Sequence, residues 1–200
     1  MWLVLGLGNP GPEYAGTRHN VGFEVLDALA ARHGLALDRQ RHRAQYGSGL
    51  LEGHRVLLAR PLTYMNLAGE AARPLLAYHG LTESDLIAIH DEADLPVGTV
   101  RVKSGGGVAG HKGLTSLVRH LGSADFIRVR VGIGRPEAGG AEMADFVLSR
   151  PTAAERARLA EAVEAGVEAV EAVIVEGCEA AMRRFNRRQP ADPAQDADKS

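Results

Sequence analysis

Two hundred residues with 45% apolar side chains suit a single globular domain, a sheet covered by helices with no second core. A formal net charge of -2 and only 4% aromatics argue against a globally basic nucleic-acid binder and against a broad stacking platform for single strands. The lone cysteine, Cys178, excludes an internal disulfide and a cysteine-based zinc site and fits a reduced, cytosolic setting. The apolar residues 2–7 are too short to cross a bilayer and carry no export signature.

Residues 2–7 form a buried strand ending at Gly8, Asn9, Pro10, Gly11 and Pro12. The loop runs through Tyr14, Arg18 and His19 to Asn20, which caps a helix with apolar positions Val21, Val25, Leu26 and Leu29 and a stop at Gly34. Residues 46–51 and 54–59 pair as a hairpin about Glu52 and Gly53. Pro61 ends that strand, and Thr63, Tyr64, Met65 and Asn66 lead into a helix over 67–79 that Pro74 should kink or divide. A strand at 86–89 delivers His90, Asp91, Glu92 and Asp94, an edge strand follows at 99–103, and the glycine loop 105–110 opens a helix at 114–121. In residues 126–133 the alternation sets Ile127, Val129, Val131 and Ile133 against Arg128 and Arg130, one core face and one basic face. A short helix at 141–148 precedes a long one at 152–176, opened by a Thr152/Glu155 capping box. An arginine-rich helix then reaches 188, and residues 189–200 read as a disordered tail. Alternating strands and helices, broken by the hairpin and the edge strand, give a mixed sheet between helical layers.

The chemistry concentrates in two loops and one strand end. GLGNPG lacks the glycine that opens a dinucleotide-binding helix, and AGHKGL lacks the GK[ST] of a phosphate loop, so neither a nicotinamide enzyme nor a nucleoside triphosphatase fits. His19 lies between a strand end and a helix start, where ligands collect in open α/β sheets, and Asp91 emerges at another strand end. A histidine held in one tautomer by a carboxylate suits a general base acting on water; the alternative is that Asp91 only caps a turn. His90, Asp91, Glu92, Asp94 and His111 offer divalent-metal donors but no HExxH spacing. Residues 95–136 carry seven basic side chains against the single acid Asp125. Lys103, Lys112, Arg128 and Arg130 are therefore either a solvated edge face or a phosphate clamp.

Four motifs in this order, GLGNPGPEYAGTRHNVGF, RPLTYMNLAGEA, IHDEADLPVGTVRVKSGGGVAGHKGL and FIRVRVGIGRP, resemble those of the bacterial-type peptidyl-tRNA hydrolases. The resemblance covers the chain to about residue 188 and implies an α/β/α sandwich around a mixed, largely parallel, phosphorylase/hydrolase-like sheet. It implies a monomeric, cytoplasmic enzyme without metal or other cofactor, which hydrolyses the ester between a peptide and the 3' ribose of tRNA. By motif position, His19 is implied as general base, Asp91 as its support and Asn9 as a hydrogen-bonding partner near the scissile ester. Tyr14, Tyr64, Met65, Asn66 and His111 are implied on the peptide and the tRNA 3' end, with Asn66 also offered to the oxyanion. Lys103 and Arg130 match a basic pair gripping the terminal phosphate of the acceptor stem. Lys112 stands where the family has Asn; an ammonium donates but does not accept, which leaves it a phosphate or a substrate carbonyl to contact. Two other classes stay open at this point, a non-catalytic RNA-binding relative of the kind used in organellar splicing and a metal-dependent peptidase.

Overall fold

The computed structural model describes residues 1–136, 140 and 142–187. In chain order the elements are β1 (Trp2–Gly6), α1 (Val21–Arg32), β2 (Arg39–Arg41), β3 (Ala44–Leu51), β4 (His54–Pro61), α2 (Ala68–Tyr78), β5 (Leu86–Glu92), β6 (Val100–Ser104), α3 (Lys112–Leu121), β7 (Ile127–Gly132), α4 (Met143–Leu148), α5 (Ala153–Glu176) and α6 (Cys178–Phe185). Seven strands form one sheet in the order β2-β3-β4-β1-β5-β7-β6. The central pairs β4-β1, β1-β5 and β5-β7 are parallel, and the outer pairs are antiparallel. This is the mixed, largely parallel α/β/α sandwich expected from the sequence.

The central strands are apolar on both faces because both faces are covered. Val4, Ile87, Ile89, Val129 and Val131 pack beneath α1 and α5, while Leu3, Leu5, Leu57, Ala59 and Ala88 pack beneath α2 and α3. From β1 the chain crosses by α1 to reach β4 on one side; from β4 it crosses by α2 to reach β5 on the other. The C-terminal ends of β1, β4 and β5 therefore open onto a crevice at a topological switch point, where sheets of this type place ligands. Gly22 lets α1 start directly above it: a Cβ there would lie 2.5 Å from the carbonyl oxygens of both Leu7 and Ile89.

The expected hairpin turn at Glu52 and Gly53 is present, with positive φ at both positions, as a two-residue turn requires. Other local expectations change. β5 runs on through Glu92, so Asp91 belongs to the strand itself. Asn20 does not cap α1 with its side chain, which instead bonds the backbone of Asn9. Pro74 lies inside an unbroken α2, on its half-exposed side together with Glu70, where the carbonyl that loses its partner is reachable by water. β2, a three-residue arginine-rich edge strand, was not anticipated. The short helix begins at Met143, and the long one carries the expected capping box. Arg188 and the tail 189–200 fall outside the described residues. No helix among the described residues is long and apolar enough to cross a membrane.

Candidate active site

The crevice holds a cleft of about 660 Å³, within the range of small-ligand sites. Its lining includes Asn9, Tyr14, His19, Tyr64, Met65, Asn66, Asp91, His111 and Lys112, contributed by the loop after β1, the segment after β4, the end of β5 and the start of α3. Lys103 and Arg130 lie outside this lining.

At its floor, His19 Nδ1 lies 2.9 Å from each carboxylate oxygen of Asp91, with both side chains buried. Burial alone would raise the Asp91 carboxyl. The charges of His111 and His19 and their hydrogen bonds outweigh it and hold the group well below the usual carboxylate range. Asp91 is therefore an acceptor only, so Nδ1 of His19 carries a proton, and Nε2 is the ring nitrogen not engaged by Asp91. His111 Nε2 donates to Asp91 Oδ1 at 2.9 Å, while its Nδ1 accepts from the N–H groups of Gly113 and Leu114 at 3.1 and 3.2 Å. Beneath them, His90 Nδ1 donates to the Asp91 carbonyl at 2.7 Å and its Nε2 is buried without a partner. Burial first, then His111, push His90 down to about 3, against its bond to the Asp91 carbonyl, so it is neutral at physiological pH.

Asn9 is fixed from three directions. Its Oδ1 accepts from Met65 N–H at 2.7 Å, its N–H donates to Asn20 Oδ1 at 2.8 Å, and its carbonyl accepts from Asn20 Nδ2 at 2.9 Å. With Oδ1 engaged, the amide Nδ2 is the group left to donate. Met65 is buried against α3, where a Cβ at Gly113 would lie 2.5 Å from its Sδ. Tyr14 and Tyr64 meet edge to face at 6.2 Å, and Tyr64 is 55% exposed at the mouth. Asn66 and Lys112 are exposed on the rim.

The basic face is organised differently from its reading in the sequence. Arg128 is not a solvated or phosphate-gripping side chain: it is 2% exposed and donates to the carbonyls of Gly106 and Gly107 at 2.6 and 2.5 Å, holding the glycine loop. Lys103 pairs in register with Arg128, one strand in from the sheet edge. Arg130 bonds Glu92 through Nε and Nη2 at 3.0 and 2.9 Å. The ligand atoms of His19, Asp91 and His111 lie within 4.8 Å of one another, close enough to suggest a metal. Their 2.9 Å separations are hydrogen-bond lengths, however, and the His111 Nδ1 lone pair already accepts from backbone.

The structure adds Asn20, Arg18 and the wall of α4 to the site. Asn20, expected as a helix cap, bridges to the Asn9 backbone instead. Arg18, beside His19, is buried and donates to Ser149 Oγ, the Arg150 carbonyl and Glu155, with its guanidinium 4.4 Å from the Phe146 ring centre. It ties the loop carrying His19 to α4, whose Met143, Val147 and Leu148 wall the cleft. The only advance signal for Arg18 was its neighbour.

The peptidyl-tRNA hydrolase family model matches residues 3–193. A Bacillus subtilis peptidyl-tRNA hydrolase is 44% identical over 188 residues, 94% of this chain and 100% of that protein. One from Frankia casuarinae is 49% identical over 185 residues, 92% and 93% of the two chains. The crystal structure of peptidyl-tRNA hydrolase from Acinetobacter baumannii aligns with a TM-score of 0.89 at 35% identity, covering 96% of this chain and 97% of that one. Matched by sequence and by fold over nearly its whole length, the chain belongs to the peptidyl-tRNA hydrolase family.

Proposed function

We propose that the cleft hydrolyses the ester linking a peptide, or any N-blocked aminoacyl group, to the 3' ribose of tRNA, without metal, in a monomeric cytoplasmic enzyme. The observation that carries this reading is the buried bond from His19 to both oxygens of Asp91, which leaves Nε2 of His19 as a base in a cleft lined by amide donors. Nε2 takes a proton from water, and the hydroxyl adds to the ester carbonyl. The developing oxyanion is met by the Asn9 Nδ2 donor and the Asn66 amide. The ribose oxygen then leaves with the proton that His19 returns, while Asp91 stabilises the transient imidazolium.

Tyr14, Tyr64 and Met65 contact the peptide and the tRNA 3' end in this reading, and Lys112 donates to a phosphate or a substrate carbonyl. Lys103 and Arg130 receive the acceptor-stem phosphate, with Arg130 exchanging Glu92 for the incoming anion. The test is release of tRNA from N-acetylated aminoacyl-tRNA. His19→Ala should lower kcat by at least about 100-fold with tRNA affinity nearly unchanged. EDTA should not alter the wild-type rate. A chelator-sensitive rate, or an active His19→Ala protein, would overturn the mechanism.

A further inference from the structure

The resemblance puts His111 among the substrate contacts, yet both of its ring nitrogens are engaged by the protein. Nδ1 caps α3 by accepting from two backbone N–H groups, so the proton is confined to Nε2, which points at Asp91. Asp91 Oδ1 thus receives two hydrogen bonds, one from each histidine, and Oδ2 receives one from His19. The His111 ring lies 5.2 Å from that of His19 and 4.9 Å from that of His90.

We propose that His111 is a positioning residue for the hydrolysis: its Nε2–H locks the Asp91 carboxylate in the orientation that receives His19 and ties that orientation to the start of α3. The inference rests on the general-base reading of His19. A carboxylate bonded by His19 alone is free to turn about its own side chain, and the whole of its charge falls on one imidazole. With a second donor on the other flank the carboxylate is shared between two imidazoles, and removing that donor returns the whole of its charge to His19. The other ionisable groups around the centre are His90 and Glu92 on β5, Arg130 on β7, Lys112 on α3, Asp94 and Arg135 at the rim, and Tyr14 and Tyr64 at the mouth. Among the described residues, only His111 shares the carboxylate with His19.

Two conservative substitutions separate the two roles of the ring. His111→Asn retains an acceptor over the Gly113 and Leu114 N–H groups but does not reach Asp91; His111→Gln reaches Asp91 with an amide donor and gives up most of the cap. With N-acetylated aminoacyl-tRNA as substrate, the acid limb of the kcat profile should move to higher pH by about 0.5–1 unit in His111→Asn. KM should change little, and His111→Gln should return the limb toward wild type. An unmoved limb in His111→Asn, or no recovery in His111→Gln, overturns the proposal and leaves His111 as a helix cap. Long-range 1H–15N spectra of the unsubstituted protein give a second test that needs no variant: His111 protonated on Nδ1 would sink the idea. Running His19→Ala alongside separates the failures, because activity in that variant defeats the base reading itself, whereas an inactive His19→Ala with an unmoved His111→Asn limb defeats only the positioning.

Discussion

Asn9 illustrates how a single side chain is made to offer one kind of contact. A primary amide has a donor end and an acceptor end, and in solution either can face a ligand. Here Met65 N–H occupies Oδ1, and Asn20 clamps the Asn9 backbone on both sides, so a substrate in the cleft meets Nδ2. Asn9→Asp keeps the size and the acceptor for Met65 but places negative charge where the proposed oxyanion would develop. We expect kcat to fall by about 100-fold or more, with the melting temperature little changed. Single-turnover hydrolysis on saturating substrate measures the chemical step directly; a near-normal rate would remove Asn9 from oxyanion stabilisation. Lys112 belongs to the same scale. It is the first residue of α3, exposed, and next to the histidine whose ring caps that helix, so its ammonium is presented to the cleft rim by a fixed backbone.

Among the elements, the glycine loop is the one whose order depends on a buried charge. Arg128 reaches from β7 to the carbonyls of Gly106 and Gly107, and its own desolvation is offset by those bonds and by the Phe126 ring at 4.7 Å. Burial and the neighbouring Arg130 lower its pKa, with Glu92 opposing. Arg128→Met should fill most of the space and lose the anchoring bonds. Stability should drop by about 1–3 kcal/mol, and amide exchange should speed up across residues 104–111, a change hydrogen-exchange mass spectrometry would locate. Protection equal to wild type would mean that the loop holds itself. This arginine also marks the boundary of what the sequence could say. Period-two alternation correctly set Arg128 and Arg130 apart from Ile127, Val129 and Val131, but alternation assigns a face and says nothing of what covers it. The hairpin turn, the Thr152/Glu155 capping box and the strand–helix order are local signals and were legible. Asn20 could cap its own helix or bridge to Asn9 with the same chemistry, and only the fold of the loop decides. The pairing of Glu92 with Arg130 and the wall formed by α4 likewise depend on contacts distant in sequence. Asn186 is similar: it pairs with both backbone groups of Val102 and so closes the outer edge of β6.

For the molecule as a whole, the arrangement that sets the site also sets its tolerance of acid. His90 is 1% exposed on β5, between the sheet and His111, with its folded pKa pushed down to about 3 from an ordinary 6.5. A histidine depressed in this way is neutral when folded and protonated when unfolded throughout the interval between those values. The unfolded state therefore binds the extra proton, and stability declines as pH falls from about 6.5 toward 3. Asp91 acts in a lower window: its depressed carboxyl contributes stability above the ordinary 3.8, and that contribution is lost only as the pH falls below it. Between pH 7.5 and pH 5 the His90 effect thus stands apart from that of Asp91, and it should amount to about 2 kcal/mol. Urea denaturation of the wild type and of His90→Asn, whose amide retains a donor for the Asp91 carbonyl, tests this directly. The variant may start from a lower plateau, but its stability should decline less over that interval, by about the same 2 kcal/mol. Parallel curves would show that the folded protein takes up the proton at His90. A cation would then sit against His111 and Arg130 beneath His19 and Asp91, and the neutral floor on which Asp91 holds His19 would be lost.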